Sequence, residues 1–248
     1  MASKVWQRFE GKTRNLQSYL QLIDLSLNLA NKQCKKGDHA KRIADVLGSN
    51  IIEHQQLNIP NQGADIGRTF VTARNMLHEH AIVEMYAVFS DYLANCISEI
   101  VKIRPQNFFS IVQTNKDSRL DFPKIVSLGS YDSILNEMSR IIYRQLESLR
   151  STKEELDKLI QVFDLHIAPN TYSKALAYME IRHLIIHNNT KADEKFKEMN
   201  NAENIVTLLS GSRIKLDYSV SNQMIQSVRL LCQEIDNELI RVNALVAQ

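Results

Sequence analysis

Along most of the chain, apolar side chains return every three or four residues, the spacing that gathers them on one face of an α-helix. The first such run covers residues 4–32, with Trp6, Phe9, Leu16, Leu20, Ile23, Leu27 and Ala30 in step. Gly37-Asp38 interrupts it, and Asp38 is placed to cap a short helix reaching Leu47. The stretch 58–67 holds one proline and two glycines and predicts a loop. A second long run, 68–103, carries Phe70, Leu77, Ile82, Met85, Phe89, Tyr92, Leu93, Cys96, Ile97 and Ile100, and Arg104-Pro105 ends it. After a mixed stretch broken by Pro123 and Gly129, helices are predicted at 131–149, 152–165 and 171–188. The third is entered through Pro169-Asn170 and left at Asn188-Asn189. A polar interval follows, then Ser212 to Tyr218 alternates as a short strand or extended segment does. A closing helix spans 219–247. The expected fold class is all-α: a helical bundle with an extra N-terminal helical segment and one short extended segment before the last helix. The expected organisation is an N-terminal helical arm over 1–57, a linker loop over 58–67 and a main helical domain over 68–248.

Composition supports helix, since seven glycines and four prolines in 248 residues are too few for the turns of an all-β sandwich. The formal net charge of +2 argues against coating nucleic acid by bulk charge, while leaving room for a local basic cleft. Cys34, Cys96 and Cys232 are widely spaced and form no C-x-x-C pair, so neither a disulfide framework nor a zinc knuckle is indicated. The first residues lack the apolar core of a signal peptide, and no run approaches the roughly 20 apolar residues of a membrane span. The expectation is a soluble cytoplasmic protein without a membrane partner.

The segment that stands out is Arg182-His183-Leu184-Ile185-Ile186-His187-Asn188. Its apolar triplet predicts a largely buried helix end, yet an arginine and two histidines flank it. A partly buried arginine needs an anionic partner. Such a helix end either hides a structural ion pair or lines a site. Arg182 and His187, five residues apart, lie about 140° apart around a helix and do not share a face. His183 and His187, four apart, do.

In these residues the chain resembles the HEPN superfamily (higher eukaryotes and prokaryotes nucleotide-binding), and within it the RiboL-PSP-HEPN group. That family's mark is an arginine, a polar residue, a short spacer and a histidine, matched here by Arg182, His183, Leu184-Ile185-Ile186 and His187. The setting is also similar, with a late helix, a polar interval, a short extended piece and a final long helix. The resemblance covers roughly residues 68–247 and leaves 1–57 unexplained. It implies a HEPN-type bundle and a metal-independent endoribonuclease that uses the ribose 2′-hydroxyl as nucleophile, leaving a 2′,3′-cyclic phosphate and a 5′-hydroxyl, with no cofactor and no metal. The residue types suit that chemistry: imidazole moves protons near neutral pH, and a guanidinium fork fits phosphate. His187 is then the acid/base group and Arg182 the phosphate clamp, with His183 and Asn188 orienting the site or bonding RNA. The resemblance further implies RNA as substrate, a homodimer whose two strips form one cleft, and a toxin or phage-defence effector with an antitoxin or defence-system partner. Family members often carry an acid on an early helix near the site, for which Asp91 and Glu84 are the candidates, either placed to pair with Arg182. One departure is Asn189, which stands where a regulated branch carries a modifiable tyrosine.

Other readings stay open. The strip also fits a HEPN module that binds RNA or nucleotide without cutting, or a structural partner such as an antitoxin subunit. His78 and His80 stand two apart on a helix with no matching ligand set. Arg140, Arg144, Arg150, Lys153 and Lys158 alternate with Glu137, Glu147, Glu154, Glu155 and Asp157, which predicts a solvated face rather than an RNA stripe. Phe108 and Phe109 are expected in the core rather than stacked on bases.

Overall fold

The computed structural model describes residues 2–36, 65–108 and 122–247. The described residues form eight α-helices: α1 (Lys4–Lys36), α2 (Asp65–Ile103), α3 (Phe122–Leu128), α4 (Tyr131–Glu147), α5 (Thr152–Phe163), α6 (Pro169–His187), α7 (Glu194–Glu203) and α8 (Tyr218–Arg241). The expected helix at Asp38–Leu47, most of the 58–67 loop, and Phe109 lie outside the described residues. Asp65, Ile66 and Gly67 are already helical, so the last part of the expected linker belongs to α2.

Helix starts follow their capping side chains. The hydroxyls of Ser130 and Ser151 accept from the backbone N–H of Ser133 and Glu154, opening α4 and α5. The carboxylates of Asp193 and Asp217 do the same for α7 and α8. The two helices not expected from periodicity are short. Helix α3 starts with Pro123 in its first turn, where a missing N–H costs nothing. Helix α7 has only Phe196, fully buried, and half-buried Met199 to mark its inner side.

Helix α1 packs on α2 and α8, and α6 packs on α8, α2, α7 and α5. One main core results. Leu20, Ile82, Phe89, Leu93, Ile97, Tyr178, Ile181, Leu184, Met224 and Leu231 all belong to it. The segment expected as an arm supplies Val5, Trp6, Phe9, Leu16 and Leu20 to this same core. The Phe9 ring lies 5.0 Å from that of Tyr92 and 5.4 Å from that of Trp6. Polar ties reinforce the join. Asp24 of α1 accepts from Arg74 of α2 at 2.9 Å, and buried His78 stands between Asp24 and Ser221 of α8, 3.2 Å from the serine hydroxyl. Glu10 of α1 accepts both ends of the Arg229 guanidinium on α8 at 2.6 Å.

Between α7 and α8 the chain is extended near Arg213–Ile214 but forms no sheet. Single bridges pair Lys191 with Arg213 and Leu208 with Ile214. The apolar alternation of this segment buries Ile214 and Leu216 against the helices, which is why it reads as strand without a ladder partner. Phe108 is fully buried against Phe163, ring centroids 5.3 Å apart. The three cysteines are free and buried. Among the described residues no helix is long and apolar enough to cross a membrane.

Candidate functional site

Helix α6 is buried on nearly every side through its middle: Ala175, Leu176, Ala177, Tyr178, Met179, Ile181 and Leu184 all lie in the core. Ala168 ahead of it offers no side-chain cap, so α8 supplies one. Glu234 accepts from the Ala168 N–H at 2.9 Å and from the Thr171 hydroxyl at 2.7 Å, and Glu238 accepts from the His166 N–H at 2.8 Å. Two carboxylates thus sit at the positive end of the α6 dipole. At the other end Asn188 donates its N–H to the Leu184 carbonyl, and Asn189 and Thr190 both adopt positive φ. That turn is pinned from outside, because the Thr190 carbonyl accepts from the Ile214 N–H at 2.9 Å. The helix is fixed at both ends before any functional side chain is considered.

From this rigid helix the strip splits in two directions. Arg182 is half-buried and lies over the Tyr86 ring of α2, its guanidinium carbon 4.7 Å from the ring centroid. Its Nε is buried with no hydrogen-bond partner. No ion pair reaches it among the described residues. His183 and His187 are exposed, and their rings lie 4.7 Å apart. The apolar spacer is less buried than its composition predicts: Leu184 is in the core, Ile185 is half-buried and Ile186 is 46% exposed. The helical period puts Ile186 on the opposite side from Leu184, facing solvent beside the histidines.

Neither expected acid touches Arg182. Asp91, with a side chain 62% exposed, pairs with Lys12 of α1 at 2.7 Å, and Glu84 is exposed. The residues that do surround Arg182 line a cavity of about 390 Å³ between α2, α4, α5 and α6, with the start of α7 at its rim. Tyr86, Tyr143, Glu147, Arg150, Glu155 and His183 are among them, whereas His187 is not. The Tyr86 hydroxyl is tied to the Thr152 hydroxyl at 3.0 Å, which holds the aromatic surface under Arg182 in place.

Glu155 corrects the expected solvated face on α5. It is 8% exposed, on the side of the helix that also buries Leu159 and Phe163. Burial, and secondarily the charge of Glu147, pushes its carboxyl up to about 7. The sequence held a signal for this, since Glu155 precedes Leu159 by four residues and Phe163 by eight. Its neighbours Lys153 and Asp157 do face solvent, paired at 2.8 Å, whereas on α4 the largely covered Glu137 carboxylate pairs with Arg140 at 2.7 Å and with Lys124 at 2.6 Å. Arg140 and Lys124 together hold the Glu137 carboxyl down at about 2.

A carboxyl raised in the folded state binds a proton there that the unfolded chain has already released. Its contribution to stability is fully present below about 4.5 and lost as pH rises through about 7. Thermal melts of the wild type should therefore fall between pH 5 and pH 8.5 by more than those of Glu155→Gln. The gap at the alkaline end corresponds to about 3 kcal/mol. Parallel pH profiles for the two chains would show that Glu155 is solvated.

No protein-family model, no curated protein and no solved structure matches the chain.

Proposed function

We propose that the chain is a metal-independent endoribonuclease of the HEPN type, acting as a homodimer. It would cleave RNA by attack of the ribose 2′-hydroxyl, leaving a 2′,3′-cyclic phosphate and a 5′-hydroxyl. The observation that carries this reading is Arg182. Its guanidinium rests on a tyrosine face at a cavity, with no carboxylate among the described residues claiming it, beside two adjacent exposed imidazoles. A structural arginine is expected to be paired; an unpaired one in a recess is suited to receive an anion. In this reading Arg182 neutralises the phosphodiester, His187 moves the proton, His183 steadies its ring, and Asn188 holds the end of the helix or bonds RNA. The role as toxin or defence effector, and a neutralising partner protein, rest on the resemblance alone.

The two-chain site is favoured by the split of the strip. Arg182 lies inside one chain's cavity and His187 outside it, next to exposed Ile186. A second copy facing this helix end would cover Ile186 and bring an imidazole to the cavity mouth. The same split favours a second reading, a module that binds RNA or nucleotide without cutting it.

One assay separates them. Total RNA incubated with purified protein and excess EDTA should be cut to fragments ending in cyclic phosphate, and His187→Ala should lower the rate by about 100-fold or more. Binding without cleavage would leave the module; cleavage that survives His187→Ala would remove the histidine from the chemistry.

A further inference from the structure

Of the acids lining the cavity, Asp193 is committed to capping α7, Glu180 pairs with Lys195 at 2.9 Å, and Glu147 is exposed. Glu155 has no such commitment. It is buried, and no hydrogen bond among the described residues acts on its carboxyl. Arg182 from α6 and Glu155 from α5 line this one cavity, and neither is paired with the other. An unpaired guanidinium and an unpaired carboxyl in the wall of a single cavity, among the described residues, suit a ligand that carries both an anion and N–H donors. Building on the ribonuclease reading, we propose that the cavity holds a guanine nucleotide of the RNA, its phosphate on Arg182 and its base edge on Glu155.

The choice of base follows from donor geometry. Guanine alone among the four RNA bases sets an imino N–H and an amino N–H side by side, and the two oxygens of a carboxylate accept both. Adenine and cytosine place a ring acceptor beside the amino group, which a carboxylate repels. Uracil offers one N–H flanked by carbonyls. Tyr86 carries Arg182 on its ring, Tyr143 supplies a flat wall of the kind on which bases stack, and about 390 Å³ falls within the usual range for a small-molecule pocket. With its carboxyl raised to about 7, Glu155 gives up its proton as pH rises above neutrality, which leaves both oxygens as acceptors.

Calorimetric titration of the purified chain at pH 8 with GMP, AMP and inorganic phosphate tests the assignment. A second arm uses single-stranded hexamers that differ by one G-to-A exchange. GMP should bind about tenfold or more tightly than AMP, and the guanine hexamer should show the same preference. Glu155→Gln should erase it, because a carboxamide, with one donor and one acceptor, pairs with the amino group and N1 of adenine as readily as with O6 and N1–H of guanine. Arg182→Ala should weaken both nucleotides alike. The Glu155→Gln chain is checked for folding by its melt, which is expected to be as high as wild type or higher. Equal binding of GMP and AMP, no binding of either, or a guanine preference that survives Glu155→Gln would overturn the proposal. A preference seen with GMP and absent from the hexamers would move the ligand from RNA to a free nucleotide and overturn it as stated. The ribonuclease reading fails separately: guanine binding without RNA cleavage removes the nuclease, and cleavage without base preference removes this pocket.

Discussion

Replacing Arg182 by alanine is expected to lower RNA cleavage by roughly 100- to 1000-fold, the usual cost of losing a charge-stabilising group at a reacting phosphate. The fold should barely notice. Arg182 has no carboxylate partner among the described residues, so the penalty of an orphaned buried charge does not arise. What is lost is its contact with the Tyr86 face, about 1 kcal/mol, or a few degrees in Tm for a chain of this size. Arg182→Lys should fall between wild type and alanine, since lysine keeps the charge but not the planar fork. Measuring Tm and initial cleavage rate on the same preparations decides the matter. A melt lowered by 10 °C or more in Arg182→Ala would mark the arginine as a structural brace.

The second large effect concerns α1. Phe9 is buried against Trp6 and Tyr92, so Phe9→Ala should cost about 3–5 kcal/mol, through lost burial and the cavity left behind. In Tm that is roughly 10 °C. Tyr19, on the same helix but facing water, should tolerate alanine within about 0.5 kcal/mol. An arm lying loosely on a self-sufficient domain would give the opposite outcome, with both substitutions silent in the melt of the main transition.

The long helices were legible because each repeats its apolar period over many turns and ends on a recognisable side chain. Ser130, Ser151 and Asp217 announce α4, α5 and α8, and Asn188 closes α6. Helix α7 was not legible, since one buried phenylalanine and a half-buried methionine in ten residues cannot establish a period. The packing of α1 was hidden for another reason. Periodicity shows that a helix has an apolar face, and says nothing of which surface receives it.

At the site, the sequence pointed to Arg182, His183 and His187 but not to their surroundings. Asp91, one of the two acids the resemblance offers, sits on the water side of α2 beside Lys12. Tyr86, five residues before it, faces the other way and meets Arg182. Glu155 was masked by the charges around it. A string of alternating lysines and glutamates reads as a wet surface unless each position is followed along the helix to the leucine and phenylalanine it shares a face with.

The burial of α6 on almost every side has a bearing on how this protein can be altered. A helix so enclosed leaves little latitude on its inner side, and enlarging Met179, Ile181 or Leu184 beside Arg182 would disturb several helices together. The turn at 148–150, by contrast, is exposed and contributes Leu149 and Arg150 to the cavity rim. Divergence in what the cavity admits, whether by natural drift or by design, has its room in that short turn, while the strip itself stays fixed.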